Sequence, residues 1–138
     1  MKLLPFIFLA ILFHACSKDS KTKRLIVGNW KVDVVRIEDG EGFLFYDSLA
    51  NGMFQLSTDH ISGQTKYQYD YFSQYLVQDS VAFNHATYIL DAKGEEFLIV
   101  RATDTLRTKI IMLTKKSFTF EYYDQLAFRL KRFTCSRM

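Results

Sequence analysis

Residues able to do chemistry are few and widely spaced in this 138-residue chain: three histidines, His14, His60 and His85, and two cysteines, Cys16 and Cys135. Zinc ligands usually come in close pairs, and neither His60 nor His85 has another histidine or cysteine within five residues. No metal and no cofactor is expected. No Gly-x-Ser-x-Gly elbow or dinucleotide fingerprint is present, Ser62-Gly63-Gln64-Thr65-Lys66 lacks the spacing of a phosphate loop, and Asp39-Gly40-Glu41 lacks the alternating ligands of a calcium loop. Asp70, Glu95, Glu96 and Glu121 sit opposite apolar positions and read as a solvated face. The chain is therefore not expected to be an enzyme.

Aromatic residues are the more distinctive feature, at 16% of the chain. Tyr67, Tyr69, Tyr71 and Tyr75 fall on the odd-numbered face of one expected long strand, where tyrosines either pack across a sheet or line a pocket with an apolar ring and a polar tip. His85 alternates with Val81, Phe83 and Thr87 and is expected to point inward. Near the C-terminus Phe118, Phe120 and Tyr122 share a face, and Leu126, Phe128, Leu130 and Arg132 form a second such series. If these series face a common interior with Ile110 and Met112, the candidate pocket comprises Tyr67, Tyr69, Tyr71, Phe83, His85, Ile110, Met112, Phe118, Phe120, Tyr122 and Phe128. Such walls suit an apolar or amphipathic ligand. The formal net charge of +3 is small and scattered, and the tyrosine stripe is flanked by Gln68, Asp70 and Gln74 rather than a basic groove, so nucleic acid is not an expected partner.

The elements that must position these residues are β-strands. Period-2 or β-rich runs occupy Trp30–Ile37, Gly52–Thr58, Lys66–Gln78, Ser80–Asp91, Glu95–Thr103, Leu106–Thr114, Ser117–Tyr123 and Leu126–Phe133. Turn signals at Asp39–Gly42, Asn51-Gly52, Ser62-Gly63, Lys93-Gly94 and Lys115-Lys116 separate them. Segment 40–49 is either a flap or an extension of the first two strands. Short connections impose antiparallel neighbours, and strands with one apolar face bury it by closing into a barrel or stacking as a sandwich. Sequential hairpins favour an all-β, eight-stranded, antiparallel up-and-down barrel, with a β-sandwich as the alternative.

The N-terminus is organised differently. Met1-Lys2 is followed by an apolar run from Leu3 to Phe13 and by an abrupt polar stretch from Ser17, the layout of a secretory signal and too short for a membrane span. Ala15-Cys16 at the polar boundary resembles the lipobox of bacterial lipoproteins, which implies a signal peptide over 1–15, acylation of Cys16 and attachment to the membrane through it. Residues 16–24 then read as the lipidated cysteine and an extended tether of roughly 26 to 29 Å, with the domain over 25–138. With Cys16 lipidated, Cys135 has no disulfide partner and reads as an inert thiol in a frayed tail.

One further motif carries a resemblance. Leu25-Ile26-Val27-Gly28-Asn29-Trp30-Lys31-Val32 resembles the Gly-x-Trp opening of lipocalins and of the lipocalin-like domains of bacterial envelope lipoproteins. The resemblance implies that Gly28 and Trp30 open the first strand at the closed end of the barrel, with Arg132 of the last strand packed on the Trp30 ring. It also implies a lipid-anchored cell-envelope protein, in the outer membrane of a Gram-negative bacterium, that binds a small apolar or amphipathic ligand. The rival expectation is a non-catalytic interaction or structural module of an envelope complex, with an envelope protein as partner.

Overall fold

The computed structural model describes residues 18–39, 44–71 and 75–138. The expected signal peptide and Cys16 lie outside them. One helix, α1 (Lys18–Ile26), precedes nine strand segments: β1 (Gly28–Asp39), β2 (Leu44–Leu49), β3 (Asn51–Leu56), β4 (His60–Tyr71), β5 (Tyr75–Leu90), β6 (Glu96–Val100), β7 (Thr105–Leu113), β8 (Ser117–Asp124) and β9 (Arg129–Arg137). β2 and β3 are two halves of one strand interrupted at Ala50, since β2 pairs with the far half of β1 and β3 with its first half. Every neighbour is antiparallel, and β9 pairs back onto β1 from Trp30↔Arg137 to Asp39↔Arg129. The result is the expected eight-stranded up-and-down barrel. β9 closes the sheet onto β1, while among the described residues β2 pairs with β1 alone and the β3–β4 ladder ends at Asn51↔Lys66, which leaves a seam between β2 and the far half of β4.

Within segment 40–49, Leu44–Leu49 extends the sheet as β2 against β1, and residues 40–43 lie outside the described residues. The expected tether is helical from Lys18 onward. Thr22 donates to the Gly94 carbonyl at 3.2 Å and Ile26 is fully buried, so α1 docks on the end of the barrel that carries Trp30. Helical chain advances about 1.5 Å per residue, less than half its extended reach.

Two strand boundaries move. The hairpin between β3 and β4 turns at Ser57–His60, where the Ser57 hydroxyl accepts from the His60 N–H, and not at Ser62-Gly63. Gly63 instead lies inside β4 at φ +111, where a Cβ would sit 2.2 Å from the Met53 carbonyl oxygen. Consequently the long strand expected over Lys66–Gln78 is divided, and Tyr75 belongs to β5 while Tyr67, Tyr69 and Tyr71 belong to β4.

Aromatic rings fill the Trp30 half of the lumen. Trp30, Phe54, Phe97, Phe118, Phe120 and Phe133 are all fully buried. Phe118 and Phe120 stack at 4.9 Å, Phe120 and Phe133 at 5.1 Å, and Trp30 lies 5.4 Å from Phe118. Each such side chain contributes about 1.5 to 3 kcal/mol by leaving water. The buried Thr108 hydroxyl is satisfied by the Phe97 carbonyl at 2.6 Å.

Candidate functional site

The far end of the barrel, opposite Trp30, is built from the last residues of β4 and β8 and the first of β5 and β9. Strand phase carries Tyr67 and Tyr69 inward from β4, Asp79 from β5, Tyr122 and Asp124 from β8, and Lys131 from β9. The Lys131 side chain is 7% exposed, and its ammonium sits 2.9 Å from Asp124 Oδ2 and 3.2 Å from Asp79 Oδ2. Tyr67 donates its hydroxyl hydrogen to the same Asp79 oxygen at 2.8 Å. A lysine buried this deeply needs such partners, because an unpaired ammonium in low dielectric costs several kcal/mol.

Electrostatics follow from that packing. Burial raises the Tyr67 hydroxyl well above the usual phenol range, reinforced by its bond to Asp79. Burial likewise raises Tyr122, and the Asp124 charge adds to it. Burial opposes ionisation of Asp79, but the Tyr67 hydrogen bond and the Lys131 charge outweigh it and hold the carboxyl below its ordinary value. Asp124 is lowered in the same way, against its burial, by Lys131 and by the Ala127 and Leu126 N–H groups. Arg129 donates to the Tyr69 hydroxyl, with its guanidinium 5.2 Å from the centre of that ring. Arg101 pairs with Asp104 on the neighbouring turn. Lys131, Arg129 and Arg101 thus each meet a polar partner at this end, in Asp79 and Asp124, in Tyr69 and in Asp104 respectively.

Two clefts reach the network. One of about 530 Å³ lies between Leu49 and Asn51 on one side and Lys66–Gln68 and Gln78–Ser80 on the other, with Tyr67 and Asp79 in its wall. It coincides with the level at which the β3–β4 ladder stops, at Asn51↔Lys66, while β4 and β5 remain paired to Tyr71↔Tyr75. The other, of about 810 Å³, lies between the turn at 101–104 and the β8–β9 connection and includes Tyr122 and Asp124. Below Tyr67 on the same face, the fully buried Thr65 hydroxyl has no hydrogen-bond partner among the described residues.

Measured against the expected pocket, Tyr67, Tyr69 and Tyr122 come together at this network. Phe83, Phe118 and Phe120 are buried, but in the packed aromatic half, where Phe54 lies 5.3 Å from Phe83 and 6.0 Å from Phe120. Ile110 is half-buried against that core. The side chain of Tyr71 falls outside the described residues.

Three expected positions are overturned. His85 faces outward, because β5 carries an extra residue where Ile61↔Ala86 gives way to Gly63↔Phe83; at φ 50 His85 absorbs the bulge and its ring stacks on His60 at 4.1 Å. His60 in turn bonds Asp59 through Nδ1 at 2.7 Å. Among the described residues no cluster of three or more His, Cys, Asp or Glu is placed to hold a metal. Met112 is 44% exposed, since a second bulge between Ile110 and Met112 turns it outward. Phe128 is 71% exposed and belongs to a turn over 125–128 in which Asp124 Oδ1 accepts from the Leu126 and Ala127 N–H groups.

That turn also inverts the last strand. Lys131, Phe133 and Cys135 face inward, and Arg132 faces outward to pair with Glu121 at 2.7 Å. The cation on Trp30 is Arg137, directly opposite it in the ladder. Cys135 is buried in β9 rather than frayed, and burial pushes its thiol up to about 12.

Asp79, Asp124, Arg129 and Lys131 escape a reading of the sequence that assigns charge to solvent. A usable signal existed. Asp79 alternates with Val81 and Phe83, Asp124 with Phe118, Phe120 and Tyr122, and Lys131 with Phe133 and Cys135.

Comparison with protein-family models and with characterised proteins gives no match to this chain.

Proposed function

We propose that the protein is a lipid-anchored envelope lipoprotein whose barrel binds a small amphipathic ligand at its far end. The observation that carries the binding reading is the tyrosine-lined Lys131–Asp79–Asp124 network, reached by a cleft on Tyr67 and Asp79 and backed by the orphan Thr65 hydroxyl. Buried polar atoms are nearly always satisfied, so Thr65 marks a place where water or a ligand atom is accommodated. Because the Lys131 ammonium is already engaged by Asp79 and Asp124, the network favours a head group without net negative charge, with tyrosine rings against its apolar part. The packed aromatic half of the lumen restricts the ligand to the mouth. No step in this reading requires catalysis.

Anchoring rests on the Met1–Ser17 layout and on the Ala15-Cys16 pair. Several acyl chains on Cys16 hold a protein on a membrane where a single one binds marginally. Intact mass spectrometry of the protein from membranes should show a chain starting at acylated Cys16; cleavage elsewhere with an unmodified cysteine contradicts it. Native mass spectrometry of the same preparation should retain one small molecule or take up an uncharged apolar probe with one-to-one stoichiometry.

A second reading has its own support. Leu49, Leu76, Leu126 and Phe128 are 88%, 56%, 95% and 71% exposed and are carried on β2, on β5 and on the β8–β9 turn, all at the far half of the barrel. Leu126 and Phe128 share one four-residue turn, and exposed apolar side chains set side by side are a feature of protein-docking surfaces. Leu126→Ser with Phe128→Ser leaves probe uptake intact if the ligand reading holds, and abolishes capture of an envelope partner if the docking reading holds.

A further inference from the structure

We infer that the Trp30 end of the barrel is a cationic platform that rests on the anionic phospholipid surface. Lys21, Lys23 and Arg24 of α1 and Lys115 and Lys116 of the β7–β8 turn are all exposed. Their side chains form no ion pair among the described residues; Lys66 and Lys109 on the barrel wall are likewise without one but stand singly, and Arg101, Arg107, Lys131 and Arg132 are each within reach of a carboxylate.

Arg137 fixes the two basic elements together. Its Nε donates to the Lys115 carbonyl at 2.7 Å, Nη1 to the Val27 carbonyl at 3.0 Å, and Nη2 to the Leu25 carbonyl. It thereby caps the C-terminal end of α1 with a positive charge, where helix carbonyls favour one. Between these elements lies a shallow cleft of about 510 Å³ lined by Lys21, Arg24, Leu25, Lys115 and Arg137. The acids at this end are Asp91, whose carboxylate accepts from the Glu95 and Glu96 N–H groups, Asp59 beside His60, Glu96 paired with Arg107, and the exposed Glu95; all four lie on the β3–β4 turn, the β5–β6 turn or the start of β6, and none lies on α1 or the β7–β8 turn within the described side chains.

Location and charge point to the same occupant. α1 begins two residues after Cys16, so an acylated Cys16 delivers the bilayer to the end of the barrel that bears the free cations. This geometry rests on the anchored reading only in that respect. Basic residues beside an anionic surface each strengthen attachment by about fivefold, and the effect decays within a Debye length. The far end, with its network and clefts, is then presented away from the lipid.

The full-length protein, as processed and purified from membranes, tests this on phosphatidylcholine vesicles with and without phosphatidylglycerol. On the anionic vesicles a membrane-impermeant amine reagent should label Lys21, Lys115 and Lys116 at least about fivefold more slowly than on the neutral ones. High salt should abolish the difference, and the exposed wall residue Lys66 should label equally on both. Lys115→Glu with Lys116→Glu, two surface changes in a turn, should remove the protection of Lys21. Equal labelling of the three lysines on both vesicle types overturns the proposal. Failure to float on neutral vesicles counts against the acyl anchor alone, and salt-sensitive flotation on anionic vesicles then still supports the platform.

Discussion

The Arg137 guanidinium lies 4.3 Å from the centre of the Trp30 ring, and Trp30 Nε1 donates to the Ile26 carbonyl at 2.8 Å. The first strand, the last strand and α1 are thus joined at one residue. Trp30→Ala should destabilise the protein by about 3 to 5 kcal/mol, as large core truncations do. Arg137→Ala should cost about 1 to 3 kcal/mol through the lost ring contact and carbonyl bonds. Arg132→Ala should cost about 1 kcal/mol or less, since it loses chiefly a partly exposed pair with Glu121. Urea unfolding measures all three, and an Arg132 effect larger than that of Arg137 would contradict the assignment.

Acid should unfold the far end. Asp79 and Asp124 have lowered folded-state values, so their contribution is present above the ordinary carboxylate range and disappears as pH falls through the folded values. Stability should hold down to about pH 4 and drop below it. Tyr67 and Tyr122 are raised, so stability should also decline above about pH 10, where the unfolded chain ionises first. Lys131→Met alone leaves two carboxylates facing each other and should destabilise by about 1 to 3 kcal/mol. Adding Asp79→Asn and Asp124→Asn should recover most of the loss. If the single variant is as stable as the parent, the network carries no weight in the fold.

Cys135 should be silent in the folded protein. Its burial and a thiol raised to about 12 leave little thiolate at neutral pH. Reaction with a disulfide reagent should proceed at the rate of unfolding and become rapid in denaturant. Fast labelling without denaturant would place the C-terminal strand outside the barrel.

The bulge at His85 and its opposite glycine should be sensitive to backbone restriction. His85→Val puts a β-branched residue at positive φ and should cost about 1 to 3 kcal/mol, while His85→Gly should be much milder. Gly63→Ala should be worse than His85→Gly, because its Cβ meets the Met53 carbonyl. Thermal unfolding of the three variants checks the ranking.

Those bulges explain how far the sequence could be read. Apolar alternation within β8 was sufficient to place Phe118, Phe120 and Tyr122 on the inner face, and short connections were sufficient for the barrel. Each extra residue in a strand, however, reverses the inside and outside of all that follows, and nothing in the local composition at His85 or Ile111 announces it. Leu126, Phe128 and Leu130 imitate a buried series because Asp124 caps a turn that side-chain hydropathy alone does not reveal. Lys131 looks like a surface residue until Asp79 and Asp124, 52 residues and 7 residues away in the chain, are brought to it by the barrel. Ionisable residues in phase with buried ones, each near the same end of its strand, were the legible trace of the site.

The ligand reading is tested most directly by nuclear magnetic resonance of the folded protein titrated with an uncharged apolar probe. Saturable one-to-one shifts should concentrate at Thr65, Tyr67, Tyr69, Asp79, Tyr122 and Lys131, with the signals of Trp30, Phe118 and Cys135 unmoved. Absence of saturable shifts, or shifts centred on the Trp30 end, would contradict it.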